Sequence, residues 1–250
     1  MKRPILNTPL AIGRGAQSHR AAWQSQARSL LCHNSCRAAC RRGLRIDSNY
    51  GELSGSGLGG LIPSGTTSYE MCLNGHLGMR CTGAGYFGSS NPIEFATGGV
   101  LTGDPAFTIA VWLEFVSTMD GGICGWGDAL TSLAACGLIV SSTQIELAFA
   151  GSNSATCPGT IATGTHYFIC ATKTAGAITA NTTFYIDGLN AGAPSGSSNT
   201  PAVTDSTFCI GRWGSYDGFG ANARVSQCMV WDRVLTAGDV YALHQTYRHR

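Results

Sequence analysis

Four residues near the C-terminal end carry side chains suited to recognising a sugar: Trp213, Tyr216, Asp217 and Asn222, within the stretch WGSYDGFGAN at 213–222. A sugar offers apolar C–H faces to aromatic rings and hydroxyls to carboxylate and amide groups, so an exposed loop mixing these types suits a glycan. The same residues have a second reading. Trp213 and Phe219 can anchor the loop to the core or to a neighbouring subunit, because aromatic residues also dominate protein interfaces. Catalytic patterns are missing. No G-x-S-x-G elbow presents a serine nucleophile, and six His and eleven Cys show no local pairing of nucleophile with base. Cys32, Cys36 and Cys40 would line one stripe at helical pitch, where a soft metal could bind, but their spacing is not that of ordinary zinc knuckles. Gly55, Gly57 and Gly60 satisfy G-x-G-x-x-G, yet Pro63 and Ser64 follow instead of the helix that would face a pyrophosphate.

The elements that must position these residues are strands. The segments FTIAVWLEFVS, GGICGWG, CGLIVSS, TQIELAFAG, THYFICATK, NTTFYIDG, STFCIGRWG and ARVSQCMVWDRV succeed one another from residue 107, separated by Gly, Ser, Asn or Asp clusters. PIEFATG at 92–98 reads as a further strand before them. Residues 48–70 read as loop with at most short strands. Asp187-Gly188 suits a two-residue type I′ turn between two strands. Only TAGDVYALHQTY departs, with Val240, Leu243 and Tyr247 at helical spacing, Thr236 as N-cap and Asp239 three positions on.

Composition agrees with this reading. Charged residues are 12% of the 250 residues and glycines number 34, which favours turns and short strands. The net charge of +2 hides an asymmetry: nine Lys or Arg and no acid precede Asp47. We therefore read a basic N-terminal arm over 1–46 and a sandwich over 47–250. The arm, through Arg37, Arg41, Arg42 and Arg45, is a solvated extension, an assembly arm reaching a neighbouring subunit or nucleic acid, or an organelle transit peptide. Cys136, Cys170, Cys209 and Cys228 stand in strands where Val or Ala would fit. This points to reduced thiols and folding in a cytoplasm, as for a virus assembling in its host. No apolar run has transmembrane length, and no membrane partner is expected. Asn181-Thr182-Thr183 is a glycosylation sequon.

The order of motifs resembles the laminin-G-like jelly roll of the concanavalin A-like lectin and glucanase superfamily. Phe107 to Leu113 matches its opening strand, His166 to Thr172 the next motif, and Phe184 to Gly188 its Leu-Tyr-Val-Asp-Gly hairpin. Phe208 to Gly211 and Val225 to Thr236 match its closing motifs. Ser226 and Gln227 replace an acidic pair of the family pattern, and His166 replaces a Trp. The resemblance implies an all-β fold: an antiparallel two-sheet jelly-roll sandwich with a short C-terminal helix. It raises calcium, for which Asp128 and Asp217 are the loop ligands, and no other cofactor. It also raises glycoside hydrolysis, which needs two carboxylates flanking one bond, whereas Glu94, Glu114 and Glu146 have no acid two or four positions away. The expectation is a non-enzymatic assembly or adhesion module, a virion structural or decoration protein with other subunits as partners. Its alternative is a carbohydrate-binding module at a cell surface, extracellular in setting.

Overall fold

Nearly every segment of alternating character is a strand, and the strands stack as two antiparallel layers. The computed structural model describes residues 43–47, 61–72, 77–82, 85–92, 101–117, 119–204, 207–213 and 221–248, all within the compact unit Arg42–Arg250. The first half contains β1 (Gly43–Asp47), β2 (Leu61–Ser64), β3 (Thr67–Met71), β4 (Leu77–Cys81), β5 (Tyr86–Pro92), β6 (Phe107–Phe115), β7 (Met119–Gly127) and β8 (Ala135–Ser142). The second contains β9 (Gln144–Phe149), β10 (Asn153–Thr160), β11 (His166–Lys173), β12 (Thr182–Ile186), β13 (Leu189–Asn190), β14 (Ser195–Gly196), β15 (Thr207–Ile210) and β16 (Ala223–Trp231). A single helix, α1 (Ala237–Arg248), follows among the described residues.

The first sheet runs β13-β12-β11-β6-β16-β4-β3, with β1 also beside β16, and the second runs β14-β10-β9-β8-β7-β15-β5-β2. The core lies between them. Phe107, Ile109, Val111, Leu113 and Phe115 of β6 meet Trp126, Leu138, Leu147 and Phe149 of the second sheet there, as period-two alternation requires. β1 pairs with Gln227 to Trp231 of β16, so the boundary read at residue 46 falls inside a strand and Arg45 belongs to the sheet. Residues 93–98 of the expected PIEFATG strand lie outside the described residues.

Every residue of β6 is buried, on both faces. The side away from the core is closed by α1, whose His244 ring stacks 5.4 Å from Trp112 and lies tilted 5.7 Å from Phe168. The helix starts as the sequence predicts: Asp239 N donates to Thr236 Oγ1 and Thr236 N to Asp239 Oδ2. Thr108 sets its approach, donating to Arg233 O and accepting from Leu235 N. The hairpin between β12 and β13 turns at Asp187 (φ 51°) and Gly188 (φ 80°), the type I′ pair. Gly188 is required twice over, since a Cβ there would lie 2.9 Å from His244 Cβ. No helix among the described residues is long and apolar enough to cross a membrane.

Two charged clusters tie distant segments. Lys173, with a fully buried side chain, donates to Asp104 Oδ1 at 2.7 Å and to the carbonyls of Thr174 and Gly176. On the outer face of the first sheet Arg224 bridges Glu70 at 2.7 Å and Glu114 at 2.8 Å, joining β3, β16 and β6. The bond from Arg224 holds the Glu70 carboxyl below its ordinary value, against the opposing effect of burial.

Removing the partner of a buried cation leaves its charge uncompensated, so Asp104→Ala is expected to cost about 3 kcal/mol in urea unfolding. An unchanged midpoint would remove the clamp assigned to Lys173. Because the folded value of Glu70 is lowered, the unfolded chain takes up its proton first. The contribution is therefore complete above the ordinary carboxylate range and is lost as pH falls through the lowered value. Glu70→Gln should flatten the decline in stability over roughly pH 5 to 3, measured as the denaturation midpoint at each pH.

Candidate ligand-binding face

One row of residues crosses the outer face of the second sheet almost without side chains. Register places Gly88 opposite Cys209, Cys209 opposite Gly125, Gly125 opposite Gly137, Gly137 opposite Ala148 and Ala148 opposite Ser154. Directly paired residues share a face. Since Phe87, Cys124, Trp126, Cys136, Leu138 and Leu147 point into the core, the row points out. Two glycines in it are sterically required: a Cβ on Gly137 would stand 2.3 Å from Cys124 O, and one on Gly125 2.6 Å from Cys136 O.

Trp213 lies on this row. Its Cδ1 would be 2.9 Å from a Cβ on Gly137 and 3.3 Å from one on Gly125, so the indole rests where those side chains are missing. The ring is half-buried. Beside it Arg212 stacks its guanidinium 3.8 Å from the Tyr86 ring centroid and donates to Cys209 Sγ. Gly122 meets both Trp213 and Ala221: its carbonyl accepts from Ala221 N, and a Cβ there would meet Trp213 N at 2.4 Å. The next outward row holds Gly122, Ile139, Glu146 and Thr156 in register. Glu146, Thr156 and Ser154 are half-buried. Among the described residues, no group pairs with the Glu146 carboxylate. Together these groups make an aromatic step above a low floor of hydroxyls and one carboxylate, able to stack on an apolar ring face and accept hydrogen bonds.

The other residues singled out from sequence are distributed differently. Tyr216 and Asp217 lie outside the described residues, as do Arg37, Arg41, Arg42 and the cysteine run 32–40. Asn222 braces the chain: its Nδ2 donates to Ser117 Oγ and its carbonyl accepts from Val116 N. Asp128 closes a turn, Oδ1 accepting from Leu130 N and Oδ2 from Thr131 Oγ1. Among the described residues no group of three or more His, Cys, Asp or Glu is placed to hold a metal ion. Asn181 of the sequon is half-buried and committed, Nδ2 to Ala177 O and Oδ1 from Thr174 Oγ1.

Groups that could transfer protons meet on the opposite side of the molecule. His166 pairs in register with Glu114 and stacks 5.2 Å from Trp112, and Ser226 Oγ lies 3.5 Å from His166 Nε2. This juxtaposition has no local sequence signal, because the three residues come from three strands. Ser226 is buried and its hydroxyl bonds to Trp112 O, so it is not presented as a nucleophile. Glu70 and Glu114 share one guanidinium, and Arg224 favours the ionised form of Glu70, the opposite of what a general acid needs. On the second sheet, register sets Asp120 two strands and one row from Glu146, about 12 Å between Cα atoms, and its Oδ1 accepts from Ser142 N. The eight described cysteines carry buried thiols. Burial pushes Cys72 up to about 11 and Cys81 up to about 12, far from thiolate chemistry at neutral pH.

A laminin-G family model of the concanavalin A-like lectin/glucanases superfamily matches residues 87–241. No curated protein matches the sequence. Solved structures share the fold. Domain 4 of AbnA, an extracellular arabinanase of Geobacillus stearothermophilus in complex with arabinotriose, aligns with a TM-score of 0.58 at 15% identity, covering 82% of this chain and 98% of that one. Botulinum neurotoxin type C, whose path into cells depends on interaction with two ganglioside molecules, aligns at 0.57 and 13% identity over 85% of this chain and 53% of the toxin chain. Trypanosoma rangeli sialidase aligns at 0.54 and 14% identity over 83% of this chain but only 33% of the enzyme. With the two-sheet architecture and a family match over more than half its length, this chain belongs to the concanavalin A-like lectin/glucanases superfamily.

Proposed function

We propose that this chain is a non-enzymatic recognition module that binds carbohydrate on the outer face of its second sheet. The observation that carries the reading is Trp213, seated on the Gly125–Gly137 step with Glu146, Thr156 and Ser154 beyond it. Stacking and hydrogen bonding are what this surface offers, and the Asp120 carboxylate is engaged by Ser142 N. The arabinotriose of one structural neighbour and the gangliosides of another support a glycan as ligand. The role proposed with it is adhesion or assembly at the surface of a virion, with other subunits as partners. The eight buried thiols support the reducing compartment in which such a particle is built.

The full chain should bind a subset of structures on a glycan array, and titration calorimetry with the best of them should give a measurable affinity. Trp213→Ala is expected to weaken binding at least tenfold, with Trp213→Phe retaining part of it and Glu146→Gln intermediate. An array without hits, or affinities that ignore Trp213, would refute the binding face. For assembly, size-exclusion chromatography should compare the full chain with one beginning at residue 42, since a start at 47 would delete β1. Loss of a larger species on truncation supports subunit contacts through the arm.

A further inference from the structure

Charge is spread unevenly over the second sheet, and this narrows the kind of sugar its outer face can take. Among the described residues, Arg212 is the one Lys or Arg placed beside that sheet. Arg45, Arg80, Lys173 and Arg224 stand on strands of the first sheet, Arg233 follows β16 and Arg248 ends α1. The stretch 214–221 adds no Lys or Arg. Arg212 is committed at one end of the glycine row, its guanidinium over the Tyr86 ring and bonded to Cys209 Sγ. Trp213 comes next, over Gly125 and Gly137. Beyond the indole, on β9, stands Glu146, with Ile139 and Thr156 as its partners in register. Three strand spacings separate β15 from β9, about 14 Å, so the guanidinium does not compensate this carboxylate. A second acid, Asp120, lies one row further on, opposite Ser141.

We propose that Glu146 is the specificity-determining residue of this face, restricting it to uncharged sugars and sugars with a free amine and rejecting those that carry a carboxylate or sulfate. The inference rests on the carbohydrate face proposed above. On one side of Trp213 the row is filled by Arg212, whereas on the other it continues through Ala148 and Ser154. A sugar ring stacked on the indole on that second side has Glu146 at its rim, because Glu146 is the diagonal neighbour of Gly137, about 7–8 Å away. An ionised carboxylate only accepts hydrogen bonds. Sugar hydroxyls donate to it and an ammonium pairs with it, and both bonds gain strength in a half-buried setting. A sugar carboxylate offers no donor and brings a like charge to an acid that no described cation neutralises, which lowers affinity for that sugar alone.

The full chain should be screened on an array that pairs neutral oligosaccharides with acidic counterparts. Suitable pairs are N-acetyllactosamine with its sialylated form and glucose oligomers with glucuronate oligomers, together with chito-oligosaccharides with and without their acetyl groups. Spots whose signal falls in Trp213→Ala should be uncharged or amine-bearing, and calorimetry should give their acidic counterparts about tenfold weaker affinity. That ratio should shrink about threefold in Glu146→Gln, reverse in Glu146→Lys, and shrink in the unaltered chain between about 0.02 and 0.5 M salt. Ratios are taken within each variant, so a general loss of binding cancels. The salt series needs no substitution and decides the matter where a variant does not fold. Trp213-dependent binding of acidic sugars equal to that of neutral ones, or a ratio indifferent to Glu146 and to salt, would overturn this assignment and leave the face in place. An array with no Trp213-dependent spot overturns the face itself, and this inference with it.

Discussion

The register of β7 between β15 and β8 governs everything that this molecule offers on its second sheet. Shifting a strand by one residue sends its whole side-chain set to the other face. Such a slip in β7 would turn Cys124 and Trp126 outward and bury Gly125 in the core, erasing the step on which Trp213 rests. The register is fixed by the core. Trp126 packs edge-on against Phe107 at 5.4 Å and its Nε1 donates to Leu101 O, so the strand has one satisfactory seat. The irregularity between Gly122 and Cys124 then places Gly122 beside Trp213 and Ala221.

The two outer faces have opposite characters, and each follows from what covers it. On the first sheet α1 and the Arg224 network seal the surface, and Trp112, Phe168 and Cys170 are buried beneath or beside them. That face is a structural joint. On the second sheet, among the described residues, Arg212 and Trp213 lie from the end of β15 over the glycines. A jelly-roll sandwich hosts unrelated activities through such local differences, and function has to be argued from the face and not from the fold.

Much of the fold was legible in sequence because it rests on local rules. Alternation in Phe107 to Phe115, the Asp187-Gly188 turn and the Thr236–Asp239 cap each need only a few neighbouring residues. β10 was not legible: Pro158 and small polar residues hide the strand, and the register shift between Thr156 and Thr160 accommodates the proline at a bulge. β3 and β4 were hidden by glycine and charge, Glu70 of β3 being held by Arg224 from the far end of the chain. Of the candidate site, Trp213 stood out by type, whereas the bonds of Asn222 to Ser117 and of Asp128 to Leu130 and Thr131 had no sequence signal. The glycines were visible as composition, but their alignment into one row is a property of pairing between five strands. No window of the sequence contains it.

The seating of α1 has a consequence for how the chain matures. Ribosomes deliver this helix after all sixteen described strands, yet its His244 completes the cover over Trp112 and fits closely against Gly188 of the hairpin. Trp112 and Phe168 gain that cover only when the segment Ala237–Arg248 has folded back on the sheet, so the outer joint is completed by the helix and not by strand pairing.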